Sequence, residues 1–266
     1  MISAKVIADS ISPQGNRLTT MECTFHRFIL PEVNTYRMWS RNAASSRAIP
    51  LKRRIEEVRS NPAIPVHWGK NQRGMVAETT LDPDSETMAH YQWIKAANNA
   101  ADVAEELDNL NLHKQVAARI LEPFLWHTSV IASTDFENCF SQRIHPDAQP
   151  EFQLLAIEMK KALDSSKPEQ LGYNEWHLPY VSRAEQILTL ETKKKISVAR
   201  VARSSYLNQN KSDIDADISL YERLISAEPP HLSPFEMVAT PAIGSAPIPG
   251  NYNGWHQLRH SISINR

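Results

Sequence analysis

The sequence predicts an α/β fold, and three observations lead there. Short runs dense in aromatic and branched residues sit toward the two ends of the chain, Met21 to Leu30 (MECTFHRFIL) and Pro234 to Ile243 (PFEMVATPAI). Runs of this kind, stopped by proline or glycine, read as strands. Between them apolar residues recur at helical spacing in several long segments. With 266 residues, 41% of them hydrophobic, the chain is long enough to bury one sizeable core or two small ones, which excludes wholesale disorder.

In chain order, a polar start leads into the first strand, which stops at Pro31. A polar, glycine-free stretch follows from Asn34 to Arg47. Pro50 then stands where a first helical residue would, and LKRRIEEVRSN continues as an exposed helix of mixed charge. The stretch from Pro62 to Arg73 is punctuated by proline and glycine and reads as a loop. From Asp84 or Ser85, both helix-start residues, Met88, Tyr91, Ile94 and Ala97 recur at helical spacing, and the pattern runs on through Val103 and Leu107. Two further helical runs are expected, His113 to Ala132 and Ala148 to Leu163, the latter led by Asp147 with Pro150 in its first turn. After an interval containing Pro168, Gly172 and Pro179, helices are expected over Ala184 to Tyr206 and Asp213 to Ala227. The second strand run ends in a loop carrying Gly244, Pro247, Pro249 and Gly250. Internal repeats and low-complexity tracts are not found.

Composition narrows the function. A net charge of −1, from 29 basic and 30 acidic residues, gives no global field for nucleic acid or an anionic membrane, so any phosphate site must be local. Cys23 and Cys139 are too few for a disulfide framework and lie in no metal-ligand spacing, which fits a reducing compartment. Met1 to Gln14 lacks a basic segment followed by an apolar one, and no stretch approaches the ~20 apolar residues of a membrane span. The expectation is a soluble cytoplasmic protein.

The densest polar cluster is Tyr36 to Arg47 (YRMWSRNAASSR), with three arginines, three serines and an asparagine. Serine hydroxyls and free backbone N–H groups can donate to a phosphate, and arginine adds a charge-assisted bidentate pair. By composition alone the same segment also fits a solvated loop.

Arg37, Ser40, Asn42, Ser45 and Arg47 fall in register on the later part of the pattern R-H-R-x-x-S-x-N-E-x-S-x-R, the signature of the flavin-dependent thymidylate synthases. Thr35, Tyr36 and Ala43 depart from it, standing where that family has Arg, His and Glu. Ala118 to Pro123 (ARILEP) resembles the family's A-R-x-x-L-P segment, with Glu122 intervening. Asn138 to Phe152 (NCFSQRIHPDAQPEF) resembles N-x-x-x-x-R-x-x-x-x-A-Q-x-E-I. The segments that normally open the family come last: Val201 to Tyr206 (VARSSY), the acidic helix after Asp213, and His231 to Met237 (HLSPFEM). Trp255 to His260 (WHQLRH) resembles the segment that leads into the signature. The chain therefore resembles a divergent, circularly permuted, phage-type member of this family. A permutation of that kind leaves core and site available, because domain termini sit at the surface and often close together. The resemblance leaves Lys52 to Leu110 unrecognised within a single domain spanning the chain.

The resemblance implies a curved, mostly antiparallel sheet flanked by long helices. It implies transfer of a one-carbon unit to C5 of a pyrimidine deoxynucleotide, dUMP to dTMP, with FAD as cofactor and methylene-tetrahydrofolate and NADPH as co-substrates. A homo-oligomer, a tetramer in the family, would complete sites between subunits. Arg143 is implied to steady charge on the pyrimidine oxygens, a task for a side chain that stays cationic when buried. Ser45, Ser46, Arg47, Arg119 and Gln257 are implied to bind the nucleotide. Arg37, Ser40, Asn42, Asn138, His231, Ser233, Glu236 and Arg259 are implied to hold flavin. No metal and no cysteine nucleophile are expected. Other readings are hydroxymethylation of dUMP or dCMP, favoured by the departures at Thr35, Tyr36 and Ala43, and a nucleotide-binding homologue without catalysis. By the residues alone, Arg143 also fits a helix-end salt bridge and His231 a loop histidine, and Lys193 to Lys195 reads as a solvated helix face.

Overall fold

The protein is described as a computed structural model covering residues 1–45, 48–204, 213–244 and 250–262. Two long strands, β1 (Ser3–Ile11) and β2 (Arg17–His26), form an antiparallel hairpin. The chain then makes a 3-10 turn and the single-turn helix α1 (Leu30–Val33), and returns as β3 (Ser40–Ala43). Helices α2 (Leu51–Ser60) and α3 (Pro83–Asn109) follow, then α4 (Lys114–Ala117), a 3-10 segment and β4 (Trp126–Ser133). Next come α5 (Glu137–Arg143), α6 (Pro150–Ser165), the short β5 (Glu169–Gln170), α7 (Leu190–Arg203) and α8 (Ile214–Ser226). Strands β6 (Ala239–Pro241) and β7 (Trp255–Gln257) pair as a small second sheet.

The main sheet has the order β3-β4-β2-β1-β5 and is antiparallel except at the β1·β5 edge. The architecture is the α/β class read from the sequence, a mostly antiparallel sheet with long helices. Because side chains alternate across a strand, β2 and β4 divide their residues between two cores. Met21, Cys23, Phe25 and Ile131 pack against Phe152, Leu155, Ala156 and Met159 of α6. Leu18, Val130 and Ala132 face the other way, onto Val201 of α7, Met237 and Trp255. The unrecognised region forms a third layer, in which Leu51, Ile55 and Val58 of α2 meet Ala97, Ala101 and Ala104 of α3. No helix among the described residues is long and apolar enough to cross a membrane.

Several boundaries differ from expectation. His113 to Ala132 is not one helix: Pro123 breaks it, and the branched Thr128, Val130 and Ile131 enter the sheet as β4, flanked by two neighbours. The polar start is β1, whose small and polar residues are tolerated because β2 supplies most of the buried surface of the hairpin. The first strand run stops at His26 rather than Leu30, since the backbone turns helical at Arg27. Asp82, not Asp84 or Ser85, caps α3, its carboxylate accepting from Ser85 N at 3.0 Å. Gln149 rather than Asp147 caps α6, with Pro150 in the first turn as expected. Between Ala184 and the described end of α7 the chain makes a 3-10 turn before the helix begins at Leu190, and Pro234 to Met237 is a 3-10 turn ahead of β6. Two lysines of the run are ion-paired, Lys194 to Glu191 at 2.8 Å, with its ammonium over the Trp176 ring at 4.0 Å, and Lys195 to Glu222 at 2.5 Å, while Lys193 donates to Gln186 at 2.9 Å.

Candidate active site

Strand β3 carries the middle of the signature and lies at the sheet edge, where its register with β4 decides which way each residue points. Ser40 stands opposite Ala132 and Asn42 opposite Val130, both on the α7 side, while Arg41 stands opposite Ile131 on the α6 side. Segments from the far end of the chain meet β3 on the α7 side. Gln257 Nε2 donates to Ser40 Oγ at 3.1 Å, and Ser233 Oγ donates to Asn42 Oδ1 at 3.3 Å. Asn42 Nδ2 donates to Val201 O at 2.7 Å and to Ser204 Oγ at 3.0 Å. Glu236 and Arg259 form an ion pair beside them.

The structure thus brings together Ser40, Asn42, Ser233, Glu236, Gln257 and Arg259. His231, two residues before Ser233, is exposed, and its backbone N–H is held by Leu224 O at 2.9 Å. Ser45 is half-buried and closes a turn by accepting from Ala48 N at 3.0 Å. Ser46 and Arg47 lie outside the described residues, as do Ser205 and Tyr206. Arg119 sits on the 3-10 segment before β4, its side chain 57% exposed and paired with Glu122 at 2.9 Å. Glu122, the residue that interrupts the A-R-x-x-L-P pattern, is therefore the arginine's own counter-ion.

On the α6 side lies a second group. Arg37 and Asn138, both exposed, line a cavity of about 300 Å3 with Tyr36, Trp39 and Cys139. The Tyr36 and Trp39 rings stack with centroids 4.7 Å apart. At the end of α5, Arg143 Nε donates to the Tyr36 hydroxyl oxygen at 2.9 Å, and its guanidinium lies 4.9 Å from the centre of the Phe152 ring. Tyr36 in turn donates to Gln142 Oε1 at 3.2 Å. Burial raises the Tyr36 phenol's pKa against the opposing pull of Arg143, so the ring remains a neutral prop. The side chain of Arg143 also lines a cavity of about 1000 Å3. It is no helix-end salt bridge: its partners are a phenol and two aromatic faces.

Neither cysteine is poised for attack. Burial pushes Cys139 up to about 12 and raises Cys23 as well, far from the thiolate a nucleophile needs. No cluster of potential metal ligands occurs among the described residues.

Two residues escaped the sequence reading. Tyr36 carries no role in the motif pattern, where it stands as a departure, yet it orients Arg143. Asn251 bridges the two chain ends, donating to Met38 O at 2.9 Å while its Oδ1 accepts from Gln257 at 3.0 Å. A signal for it exists in the preceding glycine: Gly250 has φ of 110°, and a Cβ there would lie 2.7 Å from His260 Cε1.

No protein-family model matches the chain, and no curated protein matches it. Among solved structures it is similar to a UMP/dUMP methylase, PolB from Streptomyces cacaoi, bound with 5-bromo-UMP. The TM-score is 0.51 at 14% identity, covering 61% of this chain and 88% of that one. The same protein bound with 5-bromo-dUMP gives a TM-score of 0.47 at 13% identity, covering 61% and 90%. The first likeness shows a shared fold.

Proposed function

We propose that the chain is a nucleotide-modifying one-carbon transferase that methylates C5 of a pyrimidine deoxynucleotide, converting dUMP to dTMP. One observation carries the reading. Segments some 190 to 217 residues apart in sequence, singled out because they resemble parts of one motif set, hydrogen-bond to one another around β3. A circular permutation of that set explains why the chain's last segments pack against a strand near its beginning. The fold shared with a UMP/dUMP methylase supports the same substrate class.

Arg143 would meet a pyrimidine carbonyl. Fixed through Nε by Tyr36 and backed by Phe152, it keeps its remaining N–H groups for a ligand, and such pre-aimed donors stabilise charge developing on the ring oxygens. Ser45, Ser46, Arg47 and Arg119 would take the phosphate, with Gln257 near the nucleotide.

The residues present fit FAD in part. Arg37 and Asn138 are exposed and fit a flavin's polar atoms, and the Tyr36–Trp39 stack offers an aromatic floor. Asn42 and Ser233 are hydrogen-bonded to each other, Ser40 is hydrogen-bonded to Gln257, and Arg259 is neutralised by Glu236. A cavity of about 300 Å3, at the small end of the range for ligand pockets, covers part of a dinucleotide only, so the rest would lie against a second copy of the chain in a homo-oligomer, a tetramer by resemblance. When bound, the flavin, reduced by NADPH, would supply the hydride that turns a transferred methylene into a methyl group. Methylene-tetrahydrofolate would supply the carbon. Tyr36 and Ala43, where the family has His and Glu, favour the second reading: a product left as hydroxymethyl, on dUMP or dCMP.

The test is turnover with FAD, methylene-tetrahydrofolate and NADPH on dUMP and on dCMP, read by product mass. A net gain of CH2, a methyl group in place of the C5 hydrogen, supports the main reading, and a net gain of CH2O, a hydroxymethyl group there, the second. Unchanged nucleotides alongside tight binding leave a binding homologue.

A further inference from the structure

The motifs account for one wall of the cavity that Arg143 faces, and the opposite wall belongs to a region they do not reach. The space, about 1000 Å3, is bounded by Arg143 and the first turns of α6 on one side and by the loop from Pro65 to Ala77 with Trp93 of α3 on the other. The two sides are tied together. Glu151 of α6, 4% exposed, accepts from Val66 N at 2.9 Å. Trp93 Nε1 donates to Ala63 O at 2.9 Å, which fixes the indole where its ring meets Phe28 and Phe124 edge-on. The cavity is thus preformed, apolar on the loop side except for His67, and open to a cation whose Nη groups make no hydrogen bond among the described residues.

We propose that this cavity is the ring pocket of the enzyme. It takes a planar heteroaromatic ring that offers a carbonyl to Arg143, and the Pro65 to Ala77 loop with Trp93 sets which ring is admitted. Resting on the nucleotide reading above, this assigns to the unrecognised segment the role of specificity wall. Preformed cavities of this volume, largely apolar with few convergent polar groups, are those that hold small ligands.

The test is calorimetric titration of the full-length protein with 5-bromo-dUMP and dUMP, using substitutions that fill the cavity from opposite walls. Val66→Trp and Leu154→Trp start from side chains 43% and 39% exposed, so both should fold, and thermal melting checks that they do. Each should weaken both ligands by about tenfold or more, whereas Val103→Trp, on the outer face of α3, should leave affinity unchanged. Wild-type binding with affinities within twofold in both filled variants would overturn the pocket assignment while sparing the nucleotide reading. A wild-type protein that binds neither nucleotide would overturn the nucleotide reading, and the pocket assignment with it.

Discussion

At the scale of single residues, Tyr36 governs how Arg143 is presented. Removing its hydroxyl, as in Tyr36→Phe, keeps the ring stack on Trp39 but strips Arg143 Nε of its partner at 2.9 Å. Hydrogen bonds to charged groups contribute about 1.5–3 kcal/mol, so kcat/KM for the pyrimidine nucleotide should fall roughly ten- to a hundredfold while the melting temperature barely moves. Steady-state kinetics beside a melting curve check this, and an unchanged kcat/KM would remove Tyr36 from the site. Asn42 is the opposite case. Its buried side chain joins β3 to α7 and to Ser233 at the surface, so Asn42→Ala should cost about 2 kcal/mol in a denaturant titration through unsatisfied partners. These two residues also mark how far the site could be read in advance. Asn42 was found by its place in a motif, and the motif's meaning depended on residues elsewhere in the chain. Tyr36 was legible only as a mismatch, because no pattern within one segment says that a phenol will meet an arginine 107 positions away.

The elements show the same division between local and distant causes. Helices α2, α3, α6, α7 and α8 announce themselves, because each buries one stripe and carries its own cap or proline start. Strand β4 does not. Ala117, Ala118, Leu121 and Leu125 keep helical spacing up to its edge, and only pairing with β2 and β3 makes the next eight residues a strand buried on both faces. The unrecognised α2–α3 layer depends on close approach. Ala97, Ala101 and Ala104 are at most 1% exposed and meet Leu51, Ile55 and Val58, so small side chains set the interhelix distance. Ala101→Leu should therefore destabilise the protein by about 1–3 kcal/mol through overpacking, measured by chemical denaturation, and Val103→Ala on the outer face by less than about 0.5 kcal/mol. Equal effects of the two would mean that α3 is held by something other than this contact.

For the molecule as a whole, pH dependence joins the sheet to the layers around it. His127 on β4 is buried, with Arg27 donating to its Nδ1 at 2.9 Å. Burial first, then the charges of Arg27 and Arg54, lower its pKa to about 3. His177 is fully enclosed between Thr20 Oγ1 at 2.7 Å and Ser10 Oγ at 2.9 Å, and burial lowers it to about 3. Its backbone pairs with Ala239, so it fastens the small sheet to the large one. Both groups have folded pKa values below the ordinary 6.5. The unfolded chain therefore binds their protons first, and stability present above pH 6.5 is lost as pH falls toward 3. Each such histidine contributes a slope of about 1.4 kcal/mol per pH unit once the unfolded group is protonated. Glu185 adds to the loss lower down: hydrogen bonding to Arg200 lowers it to about 2 from 4.5, so its contribution holds above pH 4.5 and fades as pH drops through that window. Unfolding free energy measured in denaturant at intervals from pH 7.5 to 4 should decline steadily below about 6.5, before most carboxylates titrate. His177→Gln, which can still hydrogen-bond to both hydroxyls, should make the slope between pH 6 and 5 shallower. A wild-type protein with flat stability down to pH 5 would mean that these imidazoles take up protons in the folded state, and that the junction between the two sheets is open to water.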